Sequence, residues 1–462
     1  MKKSFGKWRI PGAAVFLLAG CLGNAAFGAA MPSEETLKTD ACQVVADMLE
    51  GNFEAVTEKF DAVMTESLTA KQLEEGFVAA VSALGEHIGT VSVEGVSQDV
   101  YYVVSVLEEF EKNGLQVNVV YDSEGLIAGM RTTYAPLPPK QEETEESEGE
   151  AAYREVTVTV AGDPALPLEG TLTLPEGKEK PPVVILVQGS GSSDRDENYN
   201  GNRPFADLAR GLAKQGIATL RYDKRHFVYP ENAAELGASL TLREETLDDV
   251  NAAIELMREE AQVDGSRIYV LGHSLGGALI PAVAAKNPDL AGVISMAGTL
   301  RPLWELSYDQ NQEVIQTLKN QDLPEEQQEL LETQIAQIEA DTKVLREELD
   351  DQNPETLLLG IPAGYWQSVK EYCGMNFIDQ VKQPMLILQG DADFQVYPET
   401  DYQLWKDTVG NRDNVVFHLY AGLNHLMMPT QGKRDITEYA AAGHVDPQVI
   451  DDVAAFVQGE IS

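Results

Sequence analysis

The run Gly272-His273-Ser274-Leu275-Gly276-Gly277 lies between an apolar stretch at 267–271 and a helix-like stretch at 278–285. A strand, a sharp turn and a helix in that order raise the serine hydroxyl into the open. Glycines at 272 and 276 are needed because a side chain at either place would collide with the neighbouring strand or helix. A serine hydroxyl is a poor nucleophile until an imidazole takes its proton and a carboxylate holds that imidazole. Six histidines are available. His87 lies far upstream, His226 follows the charged run Arg221-Tyr222-Asp223-Lys224-Arg225, His273 is inside the turn, and His418 falls within an apolar strand; each reads as structural. His425 comes just after the last strand, in Ala421-Gly422-Leu423-Asn424-His425, where a loop can swing an imidazole over a sheet edge. It is the expected base, with His444 in a later loop as the reserve. Two aspartates, Asp391 and Asp393, compete for the orienting role, and Asp391 can instead cap its turn by local hydrogen bonds. An oxyanion needs two preorganised N–H donors. Leu275, after the nucleophile, supplies one; the glycine-bracketed turn Gln188-Gly189-Ser190-Gly191 offers the other from Ser190 or Gly191.

These residues need a frame. Strands at 155–160, 169–174, 182–188, 217–222, 267–271, 291–296, 384–389 and 415–420 alternate, after an early hairpin, with helices such as 204–214 and 242–261. Val183-Val184-Ile185-Leu186-Val187 and Ile268-Tyr269-Val270-Leu271 are unbroken apolar runs, as strands covered on both faces require. The expectation is an α/β architecture with a mostly parallel sheet. The alternation breaks at about 300–380, a helical, acidic, Gln-rich insertion read as a lid. There Leu331, Ile335, Ile338, Thr342, Leu345 and Leu349 recur at steps of four and three and form one apolar seam on a helix. Upstream, 39–136 opens with helical sequence and continues with strand-like segments at 90–96, 100–107 and 115–121. An acidic linker at 137–152, with almost nothing apolar to bury, separates this small α+β unit from the domain at 153–462.

The chain has 462 residues, 43% of them hydrophobic and 24% charged, which suits two or three globular domains. Its 34 Lys and Arg stand against 75 Asp and Glu, a net charge of −41 that repels phosphate backbones and excludes nucleic-acid binding as the expected role. Lys2, Lys3, Lys7 and Arg9 precede an apolar stretch at 10–20 too short to span a bilayer, the pattern of an export signal. Leu18-Ala19-Gly20-Cys21 has the form of a lipobox, so the expected leader is 1–20, with Cys21 lipidated and 21–38 a tether to the cell surface. Cleavage near Ala30, giving a secreted protein, is the alternative. Membrane contact is expected only through that lipid. Cys42 and Cys373 are expected as unpaired thiols, and no Cys/His spacing suits a metal.

With these motifs in place, residues 153–462 resemble α/β-hydrolase esterases, close to the exported esterase D type and to the serine aminopeptidase-like branch. The likeness rests on the serine turn, on Gly189-Ser190-Gly191 with Asp194-Arg195-Asp196-Glu197, on Leu220-Arg221-Tyr222-Asp223-Lys224-Arg225, on Pro362 with Tyr365-Trp366, and on Asp393-Phe394-Gln395-Val396. It implies the α/β-hydrolase fold with helices on both sheet faces and a helical lid. Its Gly-x-x-Asp spacing selects Asp393, and the chain order Ser274, Asp393, His425 is that of the group. The implied activity is cleavage of small, short-acyl carboxylic esters through an acyl-enzyme, without cofactor or metal, with Tyr365 and Trp366 lining the substrate pocket. The rivals are an aminopeptidase-like peptidase and a non-catalytic surface binding protein. The group usually has His where this chain has Gln188, and Arg221, Asp223 and Arg225 read as an ion-pair cluster beneath the site. The unit at 39–136 resembles the NTF2-like modules that precede some exported hydrolases.

Overall fold

The computed structural model describes residues 34–461 except 62–63, 66–67, 82–83, 86, 99–100, 111–113, 123, 136–152, 200, 230–231, 233–235, 320–324, 435–437 and 440–442. The leader, Cys21, most of the tether and the acidic linker lie outside the described residues.

The first unit opens with helices Glu34–Glu50, Phe53–Thr57 and Ala70–Val81. They precede a meander of strands β1 (His87–Gln98), β2 (Tyr101–Phe110), β3 (Gly114–Tyr121) and β4 (Ile127–Ala135), paired in that order and antiparallel throughout. Along β2 and β3, buried residues alternate with half-buried ones, so Val104, Val106, Val117, Val119 and Tyr121 meet Leu37, Ala41, Val44 and Val45 of the first helix in a core of their own. Sequence reading had no strand at β4. That strand carries Gly129, Arg131 and two threonines and presents no apolar run.

The second unit is built on an eight-stranded sheet. Its strands are β5 (Tyr153–Val160), β6 (Leu168–Pro175), β7 (Val183–Val187), β8 (Ala218–Tyr222), β9 (Ile268–His273) and β10 (Gly292–Met296), then β13 (Met385–Gly390) and β14 (Val415–Tyr420). A two-stranded hairpin, β11 (Leu357–Leu358) and β12 (Ile361–Pro362), lies in the insertion. The spatial order is β14-β13-β10-β9-β7-β8-β6-β5. The β5–β6 hairpin joins antiparallel through β6 to β8, and every other pairing is parallel. Strands β7, β8, β9, β10 and β13 are buried along their whole length, because helices cover both faces. On one face Phe205, Leu208 and Leu212 of Pro204–Lys214 pack beside Val449, Val453 and Phe456 of Pro447–Gln458. On the other are Val250, Ile254 and Met257 of Asp248–Glu259, Leu279 and Val283 of Leu275–Lys286, and Trp405. Each such side chain contributes about 1.5–3 kcal/mol by leaving water, and together they make the sheet the rigid element from which the site loops spring.

One departure from the sequence expectation matters for function. The helix expected at 242–261 begins with a π-helical turn, Arg243–Leu247, before the α-helix Asp248–Glu259; the widened turn accommodates Glu245, which points into the protein. The insertion contains helices Leu303–Lys319, Glu325–Glu347 and Ala363–Glu371. The expected seam is its buried side: Leu331, Ile338, Thr342, Leu345 and Leu349 are all buried, and Ile335 is half-buried. Cys42 and Cys373 are both free thiols.

Candidate active site

Four strands of the parallel sheet, β7, β9, β13 and β14, deliver their C-terminal loops to one edge, where open α/β sheets place ligands. Ser274, directly after β9, has φ 52° and ψ −113°, a conformation that a side chain-bearing residue adopts only under constraint. Packing supplies the constraint. A Cβ on Gly272 would fall inside the backbone of Gly276, and one on Gly276 would fall inside the carbonyls of Val187 and Gln188. The turn therefore closes only with glycine at both places. Ser274 donates its backbone N–H to Met296 at 3.0 Å and accepts from Ala278 N–H at 2.9 Å, so the strain is held from both sides. Pro281, inside the following helix, cannot donate to the Gly277 carbonyl; the Ser295 hydroxyl does so instead at 3.0 Å. Ser274 itself is half-exposed, whereas its neighbours are buried.

At the end of β13, Asp393 is 1% exposed. Its Oδ2 faces His425 Nδ1 at 2.8 Å and accepts from the Gln389 amide at 2.8 Å; its Oδ1 accepts the N–H groups of Gln395 at 2.8 Å and Val396 at 3.0 Å. Donors on both oxygens fix the carboxylate in orientation. Asp391 is exposed, and its Oδ1 accepts Gly422 N–H at 2.6 Å, tying the turn to the loop after β14. The loop carrying His425 is braced by Asn424, whose side-chain oxygen accepts from Leu426 N–H at 3.0 Å and Met428 N–H at 3.2 Å. His425 meets the nucleophile strand through His273, whose ring centre lies 4.7 Å from its own. The other histidines have separate partners: His87 with Glu108 at 2.6 Å, His418 with Asp452 at 2.8 Å, and His444, exposed, with Asp207 at 3.2 Å. His226 is driven below its ordinary value by burial.

Leu275 opens the helix after Ser274, so its N–H has no carbonyl partner within that helix. In the turn after β7, Gly189 N–H is taken by Glu197 Oε1 at 2.6 Å, and the Gly189 carbonyl accepts from Lys224 Nζ at 2.7 Å; Ser190 and Gly191 stand exposed at the rim. Gln188, where the resembling group has His, is buried and donates its amide to the Tyr222 carbonyl, so it pins the turn to β8. A layer of ion pairs continues beneath: Arg195 with Asp223 and Glu169, Arg221 with Asp196 and Glu155, and Arg225 with Asp249 at 2.6 Å. Here Arg221, Asp223 and Arg225 are structural partners, as their sequence run suggested. Lys224 alone reaches the site turn, held by Glu245 at 2.7 Å. Burial opposes the charge on Glu245, but Lys224 and the Tyr365 hydroxyl outweigh it and keep the carboxyl below its ordinary range.

Tyr365, on the last helix of the insertion, spends its hydroxyl on Glu245 at 2.6 Å. Trp366 is a core residue, 3% exposed, its indole N–H on the Leu358 carbonyl at 2.8 Å and its ring edge-on to Trp304. An aromatic pair at the end of a helical insertion reads the same way whether it lines a cleft or seals one, and Trp366 seals. A hollow of about 10 Å³, with room for about one water molecule, lies between Leu275, Ala278 and Leu279 of the helix after Ser274 and Leu242, Leu303, Val369 and Tyr372, with Arg301 and Cys373 on its wall. Arg301 is held there by Asp401 at 2.8 Å and Asp309 at 2.7 Å. Sequence reading gave no role to Glu197, Gln389, Lys224 or Glu245. For Glu197 the one available signal was its position in Asp194-Arg195-Asp196-Glu197.

A strained serine at a strand-to-helix turn, a buried Asp–His pair after the later strands and the eight-stranded sheet beneath them define an α/β-hydrolase. The family described as serine aminopeptidase, S33, matches residues 202–430, and a family of proteins of unknown function, DUF3887, matches 41–130. Esterase EstD of Thermotoga maritima is 31% identical over 418 residues, which cover 90% of this chain and 94% of the relative, so the match spans both units. The chain belongs to the α/β-hydrolase family that contains EstD. The quorum-quenching protein AidA of Acinetobacter baumannii is 28% identical over 114 residues, 25% of this chain and 34% of that one. A solved puromycin-hydrolysing peptidase from Mycobacterium tuberculosis shares 15% identity and a TM-score of 0.44, covering 81% of this chain and 48% of that one.

Proposed function

We propose that the chain is a serine carboxylesterase. Ser274 attacks the ester carbonyl while His425 accepts the hydroxyl proton; Asp393 holds the tautomer whose Nε2 is free to do so. The N–H of Leu275 and that of Ser190 or Gly191 receive the negative charge on the carbonyl oxygen. His425 then returns the proton to the leaving alcohol, and water hydrolyses the acyl-enzyme by the same route. The observation that carries this reading is the 2.8 Å contact between Asp393 and His425 Nδ1, at the sheet edge that also bears the strained Ser274.

The proposed substrates are esters of short acyl chains. An aminopeptidase must also hold a substrate ammonium with a spare carboxylate. Three acids around the site, Glu245 and Asp401 buried and Glu197 half-buried, are committed elsewhere: Glu197 to Gly189 and His273, Glu245 to Lys224 and Tyr365, Asp401 to Arg301 and Thr299. This favours esters over peptides. Replacing Ser274 with Ala abolishes p-nitrophenyl ester turnover and fluorophosphonate labelling while the fold persists; turnover that survives the substitution eliminates the mechanism. Faster turnover of aminoacyl-nitroanilides than of esters by the unmodified protein decides for the peptidase.

A further inference from the structure

One buried pair beside the nucleophile takes no part in the steps above. His273, 3% exposed, ends β9 directly before Ser274, with Nε2 3.0 Å from the carbonyl oxygen of His425 and Nδ1 2.9 Å from Glu197 Oε2. The second is an ionic contact rather than an aligned hydrogen bond, and Nδ1 has no other partner. A carbonyl oxygen and a carboxylate are both acceptors, so neither can supply a proton to the ring. Only an imidazole protonated on both nitrogens presents N–H to each. Glu197 is equally committed. Its backbone is held at φ 54°, and its other carboxylate oxygen takes the N–H of Gly189 at 2.6 Å. One chain of contacts therefore runs from the oxyanion turn through Glu197 and His273 to the backbone of the base loop, passing directly beneath Ser274.

We propose that Glu197 and His273 are positioning residues for the esterase reaction: a buried carboxylate–imidazolium pair that locks the oxyanion turn and the His425 loop in register with the nucleophile. The inference rests on the esterase reading. Charge around the ring agrees with it. Burial alone drives His273 towards neutrality, but Glu197 from the turn after β7, the His425 carbonyl and Asp393 from the turn after β13 together outweigh burial and raise it above its ordinary value. Among the described residues, the carboxylates of Glu197 and Asp393 thus face the ring, and the imidazole of His425 lies beside it. The sign of the pH effect follows. A raised folded-state value means the lock is complete below the ordinary histidine value of about 6.5 and is lost as pH rises through the raised one.

The experiment uses the full chain. Glu197→Gln leaves an oxygen for Gly189 N–H but removes the charge. Its kcat on p-nitrophenyl butyrate falls about 10- to 100-fold with KM within about twofold, its alkaline limb moves to lower pH, and Glu197→Asp recovers part of the loss. A kcat–pH profile for Glu197→Gln that superimposes on the unmodified one overturns the proposal. Should Glu197→Gln not fold, histidine ¹⁵N spectra of the Ser274→Ala protein decide, with His273 assigned by substituting the other histidines one at a time. Both of its nitrogens carry protons at pH 7.5 if the lock exists; one bare nitrogen at that pH overturns it. Absent ester turnover in the unmodified protein is the failure of the esterase reading, and the spectra separate that outcome from failure of the lock.

Discussion

The nucleophile turn at 272–277 and the oxyanion turn at 188–191 leave adjacent strands, β9 and β7, at the same sheet edge, yet different forces hold them. The nucleophile turn is fixed by exclusion of volume: Gly272 and Gly276 stand where any Cβ would overlap backbone. The oxyanion turn is fixed by charge, its Gly189 N–H on Glu197 and its Gly189 carbonyl on Lys224, each backed by a second buried partner, His273 and Glu245. Steric fixation is indifferent to pH and salt and fails when an atom is added. Fixation by charge responds to protonation and fails when one member of a pair is removed, because the survivor is stranded in low dielectric. The glycine contacts that set the Ser274 backbone thus do not titrate, while the ion pairs that hold the turn bearing Ser190 and Gly191 respond to protonation.

The largest effect expected from breaking this contrast is at Gly276. Gly276→Ala places a methyl inside the carbonyls of Val187 and Gln188, forcing the nucleophile helix and the end of β7 apart. A displacement approaching 1 Å at the reacting centre costs about 100-fold in kcat, and the overpacking costs about 1–3 kcal/mol or more of stability. The shape of the kcat–pH profile stays as in the unmodified protein, since no titrating group is touched. Ester kinetics across pH and urea unfolding check both parts; a variant within a fewfold of full activity refutes the steric account.

Next comes Lys224. Lys224→Met strands Glu245 in the interior, and the expected loss is about 3–5 kcal/mol in urea unfolding, with kcat lowered about tenfold as the Gly189 carbonyl loses its anchor and the turn loosens. Adding Glu245→Leu removes the stranded charge and restores most of the stability, but not the contact to Gly189. Stability that recovers while activity stays low separates the two duties of Lys224. Activity and stability that recover together show that the ion pair, and not the tether to Gly189, is what the turn requires.

How far the sequence discloses these two turns follows from the same contrast. Steric fixation leaves a local trace, glycines at set offsets from a serine between an apolar strand and a helix, so Ser274 could be placed within its structural setting from sequence. Strand endings led to His425 and to the pair Asp391 and Asp393, because a parallel sheet sends every such loop to one edge, but the choice of Asp393 came from the resemblance and not from the strand. Fixation by charge leaves no such trace. Lys224 and Glu245 are far apart in a chain rich in acids, and Glu245 faces inward only because a π-helical turn interrupts the helix expected across it. Glu197 and His273 are brought together by the path of the turn after β7, which no periodicity encodes. Trp366 shows the converse: its neighbourhood was legible, but whether its ring seals the core or faces substrate depended on the packing of Trp304 and the Leu358 carbonyl. The strand β4 was missed because its residues carry no apolar run to mark it.

The smallest effect is the sharpest test of where the charged network ends. Tyr365 comes from the insertion, and its hydroxyl closes the chain Gly189, Lys224, Glu245 at 2.6 Å from the carboxylate. Tyr365→Phe keeps the ring and removes only the donor. Glu245 retains Lys224, so the loss is that of one hydrogen bond to a charged acceptor, about 1.5 kcal/mol. If the tyrosine acts as the outer brace of the oxyanion turn, kcat falls about twofold for every ester in a series from acetate to hexanoate, with KM unchanged. If its hydroxyl instead faces bound acyl chains, KM changes with chain length and kcat does not. A uniform small loss in kcat therefore extends the charge-held region out to the insertion, whereas a length-dependent KM ends it at Glu245 and assigns the tyrosine to the pocket wall.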